Sequence, residues 1–274
     1  ILGQRMPNID TDNGTLHYEL IDATPRWLEA PETILFHHGV AIDSGIWGGW
    51  LPVLADRYRI LTFDVRGYGR SNIPEENFKW SFELMAKDVM SVADANGVNK
   101  FHFVGESMGG AMGLYLAIHH PERLLTITPC TCPHKGGAVQ WLVEWGEYID
   151  NHGIAGWSDR MMGRRFYPGG LLEKQENWFA ATQATSAPQS VLGHGEMLLE
   201  VDLSPHLASI ATPTHLIAAD NSPFLPLAVT LEICDGIPGA EMEVIPNSRH
   251  GVVFSHAQQC AESLRGFLDR TTPL

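Results

Sequence analysis

Residues 101–113 read Phe-His-Phe-Val-Gly-Glu-Ser-Met-Gly-Gly-Ala-Met-Gly. An apolar run of strand length passes directly into a helix-like run, and Ser107 stands at the junction. Gly105, Gly109 and Gly110 permit a backbone path that a side chain would block. A strand that turns this sharply into a helix lifts the hydroxyl at its apex out of the surrounding chain and offers it to a substrate.

The rest of the chain repeats that alternation. Leu16–Ile21 alternates as an early strand does. Thr33–His38 and Tyr58–Phe63 are short apolar runs of the kind buried on both faces of a sheet. Helical spacing covers Phe82–Ala95, followed by a strand at 101–104, a helix at 108–119 and a strand at Leu124–Thr128. This is the rhythm of βαβ units around a parallel sheet. It stops near Pro133. From His134 to about Pro205 the sequence reads as helices and turns and carries four of the eight tryptophans, Trp141, Trp145, Trp157 and Trp178. The rhythm resumes with a strand at Thr214–Ala219, a helix around Pro226–Cys234, a strand at Met242–Ile245 and a closing helix at His256–Arg270. The expected architecture is α/β, a mostly parallel central sheet flanked by helices, with core segments 1–133 and 206–274 and a helical lid at 134–205. The lid would lie over the C-terminal ends of the strands, where open α/β sheets place their ligand crevice.

Composition narrows the function classes. With 44% hydrophobic residues, 274 residues can bury a sizeable core. The net charge of −14, with no long basic cluster, argues against nucleic acid and anionic membrane surfaces as partners. Apolar runs fall short of the roughly 20 residues that span a bilayer, and Ile1-Leu2-Gly3-Gln4-Arg5 is unlike a signal peptide. Four cysteines form neither a disulfide framework nor a zinc pattern, so a reducing cytoplasm, no metal and no cofactor are expected. His37 and His38, adjacent on a strand, point opposite ways and cannot readily share an ion.

Gly105-Glu106-Ser107-Met108-Gly109 matches the nucleophile-elbow pattern, in the strand–turn–helix setting the pattern requires. A serine hydroxyl is a weak nucleophile and needs a base. His250, in Pro246-Asn247-Ser248-Arg249-His250-Gly251, follows the last strand and reaches the same sheet edge as the elbow. His102 and His215 lie within strands, and His119 and His120 close a helix, so these are read as structural. A tetrahedral intermediate needs backbone N–H groups waiting for its oxyanion. Met108, after the nucleophile, supplies one, and Val40, after His38-Gly39, the other.

His38-Gly39, Asp64-x-Arg66-Gly67-x-Gly69-x-Ser71, Gly105-x-Ser107-x-Gly109, His119-His120-Pro121-Glu122-Arg123 and the late His250 together resemble the α/β-hydrolase superfamily over nearly all of the chain outside 134–205. The stretch from His38 through Trp47 and Leu51-Pro52 to Ser71 is similar to 3-oxoadipate enol-lactonases and related small esterases. The resemblance implies a serine hydrolase that cleaves a small carboxylic ester or lactone through an acyl-enzyme. It leaves open a C–C bond hydrolase or acyltransferase, and a ligand-binding or sensor protein with a degraded triad. The Asp64–Ser71 loop is structural in the superfamily.

The chain departs from this resemblance at the triad acid. Where the superfamily has Gly-x-x-Asp-Pro-x-x-Pro, this chain has Ala219-Asp220-Asn221-Ser222-Pro223-Phe224-Leu225-Pro226, with Ser222 in the acid slot. Asp220 is the nearest carboxylate by sequence and is the expected third member. Its alternative role is to end the strand. Glu106 is expected to point away from the pocket, and the slot after the preceding strand, Thr128–Cys132, holds no acid. In the helical segment Trp141, Trp145 and Trp157 are candidate walls of an apolar or aromatic pocket, or simply pack the lid. Arg164, with Arg160 and Arg165, is a candidate anchor for a substrate carboxylate or part of a solvated face.

Overall fold

The computed structural model describes residues 7–139 and 142–272. Eight strands form one sheet: β1 (Asn8–Thr11), β2 (Gly14–Ile21), β3 (Thr33–His37), β4 (Arg59–Phe63), β5 (Phe101–Glu106), β6 (Leu124–Cys130), β7 (His215–Ala219) and β8 (Glu241–Ile245). Their spatial order is β1-β2-β4-β3-β5-β6-β7-β8. The β1–β2 and β2–β4 pairings are antiparallel and the rest parallel. Every residue of β3, β5 and β7 is buried, as strands covered on both faces must be. The edge strands β1 and β8 alternate. The short β1 adds an edge that the sequence reading did not anticipate.

The helices are α1 (Leu51–Leu54), α2 (Phe82–Ala95), α3 (Met108–His119), α4 (Trp145–Arg165), α5 (Glu173–Ala184), α6 (Pro188–Glu200), α7 (Leu227–Gly236), α8 (Val252–Ser255) and α9 (Ala257–Thr271). α2 starts where Ser81 Oγ accepts the Leu84 N–H, an N-cap worth about 1 kcal/mol. Its Met85, Val89 and Val92 pack with Met112 and Leu116 of α3 and Ile233 of α7 on one face of the sheet. On the other face, Leu264 and Leu268 of α9 pack with Trp47 and Trp50 from a 3₁₀ turn before α1.

The excursion between β6 and β7 holds α4, α5 and α6 and leaves and returns at one point. The Gly136 N–H donates to Val201 O (2.7 Å) and the Leu203 N–H to His134 O (2.7 Å), around a bridge between Lys135 and Asp202. α4 breaks at Gly153, whose φ of 69° a residue with a side chain would rarely adopt.

The loop after β4 is built on Asp64. Its carboxylate accepts from the Ser44 N–H (3.0 Å), the Ser44 hydroxyl (2.6 Å) and the Arg70 N–H (2.9 Å). Arg66 and Asp88 form a buried pair at 2.6 Å. These contacts hold the loop that backs the β3 exit, where Val65 N–H donates to His38 Nε2 (2.8 Å).

Candidate active site

Ser107 occupies φ 54°, ψ −112°, a strained conformation for a residue with a Cβ. Two glycines make it attainable. A Cβ on Gly105 would lie 2.0 Å from Gly109 O, and one on Gly109 2.2 Å from His37 O. The Ser107 N–H donates to Cys130 O (2.9 Å), so the elbow is stitched to β6.

His250 follows β8 and a turn in which Asn247 has φ 55°. Its Nε2 is 3.0 Å from Ser107 Oγ. Its Nδ1 is 3.1 Å from Ser222 Oγ, which also accepts the Leu225 N–H at 3.2 Å. Burial drives the histidine pKa well below its ordinary value, and the Arg165 charge adds to the effect, so the ring rests neutral.

The structure places Asp220 elsewhere than the sequence reading expected. Asp220 ends β7 as expected of a strand terminator, and its Oδ2 and Oδ1 accept the Asn247 and Ser248 N–H groups (2.8 and 2.9 Å). The two backbone donors of the turn claim this carboxylate, and Ser222, two residues on, reaches the imidazole instead. Asp220 therefore holds the turn that presents His250, without bonding the ring.

Glu106 also departs from expectation. It turns inward, into the space that Gly39 leaves by having no side chain, since a Cβ there would lie 2.0 Å from Glu106 Oε2. Its Oε1 is 3.7 Å from His250 Nε2 and 3.9 Å from Arg165 Nη1. Neither oxygen has a hydrogen bond of good geometry. Burial pushes its pKa up to about 7, outweighing the Arg165 charge and the nearby Gly39 N–H.

Val40 and Ser107 line one small cavity together with His250, Arg165, Trp145 and Phe224. Met108 is the first residue of α3, so its N–H has no partner within the helix. Of the residues singled out in the helical segment, Trp145 lines the cavity, and Trp157 stands behind it, edge-on at 5.0 Å and fully buried. Trp141 lies outside the described residues. Arg164 faces Arg160, Glu144 and Tyr148, away from the cavity, whereas its neighbour Arg165 reaches in. Arg165 is buried, donates to Val40 O (2.9 Å) and lies over the Phe179 ring. One helical step separates the two arginines by about 100°, and the apolar spacing of α4 is too weak to say which one faces inward. The inward Glu106 could have been read only from its pairing with Gly39 across two strands.

The cavity amounts to about 20 Å³, room for a water molecule or two. A larger groove of about 540 Å³ runs past Asp43, Arg70, Ile73 and Trp178, but neither Ser107 nor His250 lines it. The end of α4 closes the cavity. The Gly251 N–H donates to Arg165 O (3.0 Å), Phe166 fills the space beside Gly251, and Arg249 stacks over Tyr167 and donates to Gly163 O.

A family model described as alpha/beta hydrolase fold matches residues 32–257. A protein of Agrobacterium fabrum, provisionally named carbamate hydrolase RutD, is 27% identical over 249 residues, 86% of this chain and 92% of its own. The 3-oxoadipate enol-lactonase 1 of Acinetobacter baylyi is 28% identical over 200 residues, covering 71% of this chain and 73% of that one. Among solved structures, the enol-lactonase from Burkholderia xenovorans superposes with a TM-score of 0.86 at 21% identity, over 96% of this chain and 99% of its own.

Proposed function

The chain belongs to the α/β-hydrolase family, and on that premise we propose that it is a serine hydrolase cleaving a small carboxylic ester or lactone through an acyl-enzyme. The observation that carries this reading is the 3.0 Å contact between Ser107 Oγ and His250 Nε2 at a strained elbow. For Nε2 to accept the serine proton, Nδ1 carries the other proton and donates to Ser222 Oγ, whose second lone pair takes the Leu225 N–H. Ser107 Oγ attacks the substrate carbonyl as His250 takes its proton. The Val40 and Met108 N–H groups then receive the oxyanion, and His250 returns the proton to the departing alkoxide. Water repeats the sequence on the acyl-enzyme.

Apolar walls from Val139, Trp145, Leu198 and Phe224 suit an apolar acyl group. An enol-lactonase among the relatives supports the ester or lactone class. Since the cavity holds a water or two, residues 134–205 serve as a lid that moves to admit substrate. A second reading rests on Ser222. With a hydroxyl in the acid slot, the site could serve as a ligand-binding sensor with feeble turnover.

A fluorophosphonate probe and turnover of p-nitrophenyl acetate separate the two. The hydrolase reading expects covalent labelling at Ser107. It also expects Ser107→Ala to reduce kcat by at least ~10³-fold with the fold intact, because the attacking oxygen is lost and no large cavity opens. Parent-like turnover in that variant sinks the acyl-enzyme, and an unlabelled Ser107 gives the sensor reading the lead.

A further inference from the structure

A serine beside His250 accepts a hydrogen bond but carries no charge. Each turnover nevertheless makes the buried ring an imidazolium, which a low-dielectric site tolerates only beside an opposite charge. Among the described residues, the Glu106 carboxyl is the acid within 4 Å of a ring nitrogen, with Oε1 3.7 Å from Nε2. It enters from the β5 side, across the ring from Ser222. Both of its oxygens are buried without a hydrogen bond of good geometry, an arrangement that normally costs stability.

We propose that Glu106 supplies the counter-charge for the His250 imidazolium, so that the charge role and the hydrogen-bonding role usually joined in one aspartate are divided here between Glu106 and Ser222. This rests on the serine-hydrolase reading. Glu106 acts through His250 and touches no substrate, so it is a positioning residue. Among the described residues, its carboxyl is faced by Arg165 from α4, His250 from the loop before α8, the Cys130 thiol from β6, and the Gly39 N–H from the β3 exit. Cys130 is held neutral, its pKa raised well above the usual range by burial. Arg165 offsets part of the burial penalty, so Glu106 is ionised above about pH 7, and His250 becomes its second cation during the reaction. The division also explains why Gly39 has no side chain to spare, since any Cβ there would displace the carboxyl.

A pH signature follows. The Glu106 pKa, raised to about 7, lies above that of His250, which burial depresses. As pH falls through about 7, Glu106 takes a proton and the counter-charge is lost, so kcat falls on an acid limb that belongs to Glu106.

The test is p-nitrophenyl acetate hydrolysis by the parent, Glu106→Gln, Glu106→Asp and the double variant Glu106→Gln/Ser222→Asp, with fluorophosphonate labelling of each. The amide should lower kcat roughly 100-fold, a fraction of the 10⁴ that loss of a triad carboxylate can cost, with KM within a few-fold. The limb near pH 7 should vanish with it. Glu106→Asp should keep a limb, and Ser222→Asp should restore much of the lost rate by putting a carboxylate on Nδ1. A parent that labels at Ser107 beside a Glu106→Gln variant of parent-like kcat and unchanged limb overturns the inference and leaves the hydrolase reading standing. A parent that neither labels nor turns over overturns both. Should the amide variant not fold, Glu106→Asp decides: a charge retained with the limb unmoved and unweakened by the shorter reach also overturns it.

Discussion

Asp220 and Ser222 lie two residues apart and do different work. Asp220 accepts two backbone N–H groups across 27 and 28 residues of sequence, which fixes the turn after β8 and aims His250. Asp220→Asn keeps one acceptor oxygen and replaces the other with a donor facing a donor. We expect a loss of about 1 kcal/mol at this exposed site, or a Tm lower by ~2–4 °C, and a fall in kcat of less than ~10-fold. Thermal unfolding and ester turnover check it. A 10²-fold loss of kcat at unchanged Tm would mean that Asp220 reaches the imidazole after all. Ser222 was visible in the sequence as an odd residue in a familiar slot. That it nonetheless bonds His250 was not, because a hydroxyl and a carboxylate at one position leave the same apolar pattern around them.

At the scale of elements, the site is assembled from strand ends. β5 brings Glu106 and Ser107, β3 brings Gly39 and Val40, and the turn after β8 brings His250. α4 is the exception, for it reaches the site from the helical excursion and docks on the His250 loop through Phe166 against Gly251. A Cβ on Gly251 would lie 2.2 Å from Phe166 Cε1, and Phe166 is itself wedged edge-on against Phe179 at 4.8 Å. Gly251→Ala should therefore cost about 1–3 kcal/mol by overpacking and shift α4 off the His250 loop. Differential scanning calorimetry should show the loss, and kcat/KM for a small ester should change with it. Parent values for both would show that the ring swings aside freely.

Across the whole molecule, neutral buried histidines set the acid response. Burial lowers the pKa of His37 and His194 to about 3 and that of His215 to about 4, and the repulsion of His38 adds to the effect at His37. Unfolded, each would titrate near 6.5. Between those values the unfolded chain binds more protons than the folded one, so stability falls as pH drops below about 6.5, by about 1.4 kcal/mol per pH unit for each such ring. Glu106 opposes this. Its folded pKa lies above its unfolded one, so its contribution grows as pH falls from about 7 toward 4.5. Three rings outweigh one carboxyl, and urea unfolding at pH 5 should give a clearly lower midpoint than at pH 7. Equal midpoints would contradict the burial of these rings.

The sequence alone determined what short-range physics controls. Apolar runs of five or six residues separated by helical spacing allow little besides a parallel sheet with helices on both faces. A serine between glycines at a strand–helix junction marks a sharp turn, so the elbow at Ser107 was legible before any coordinates. His250 followed from its place after the last strand. Only the tertiary structure decided which carboxylates meet that histidine. Asp220 was drawn away by two backbone donors that a separate strand brings to it. Glu106 turned inward because Gly39, some 67 residues earlier, left it room, and Arg165 rather than Arg164 faced the site by the phase of one helix against the core. Each depends on a contact between distant segments, and an acidic or basic side chain carries no local preference that says which segment it will meet.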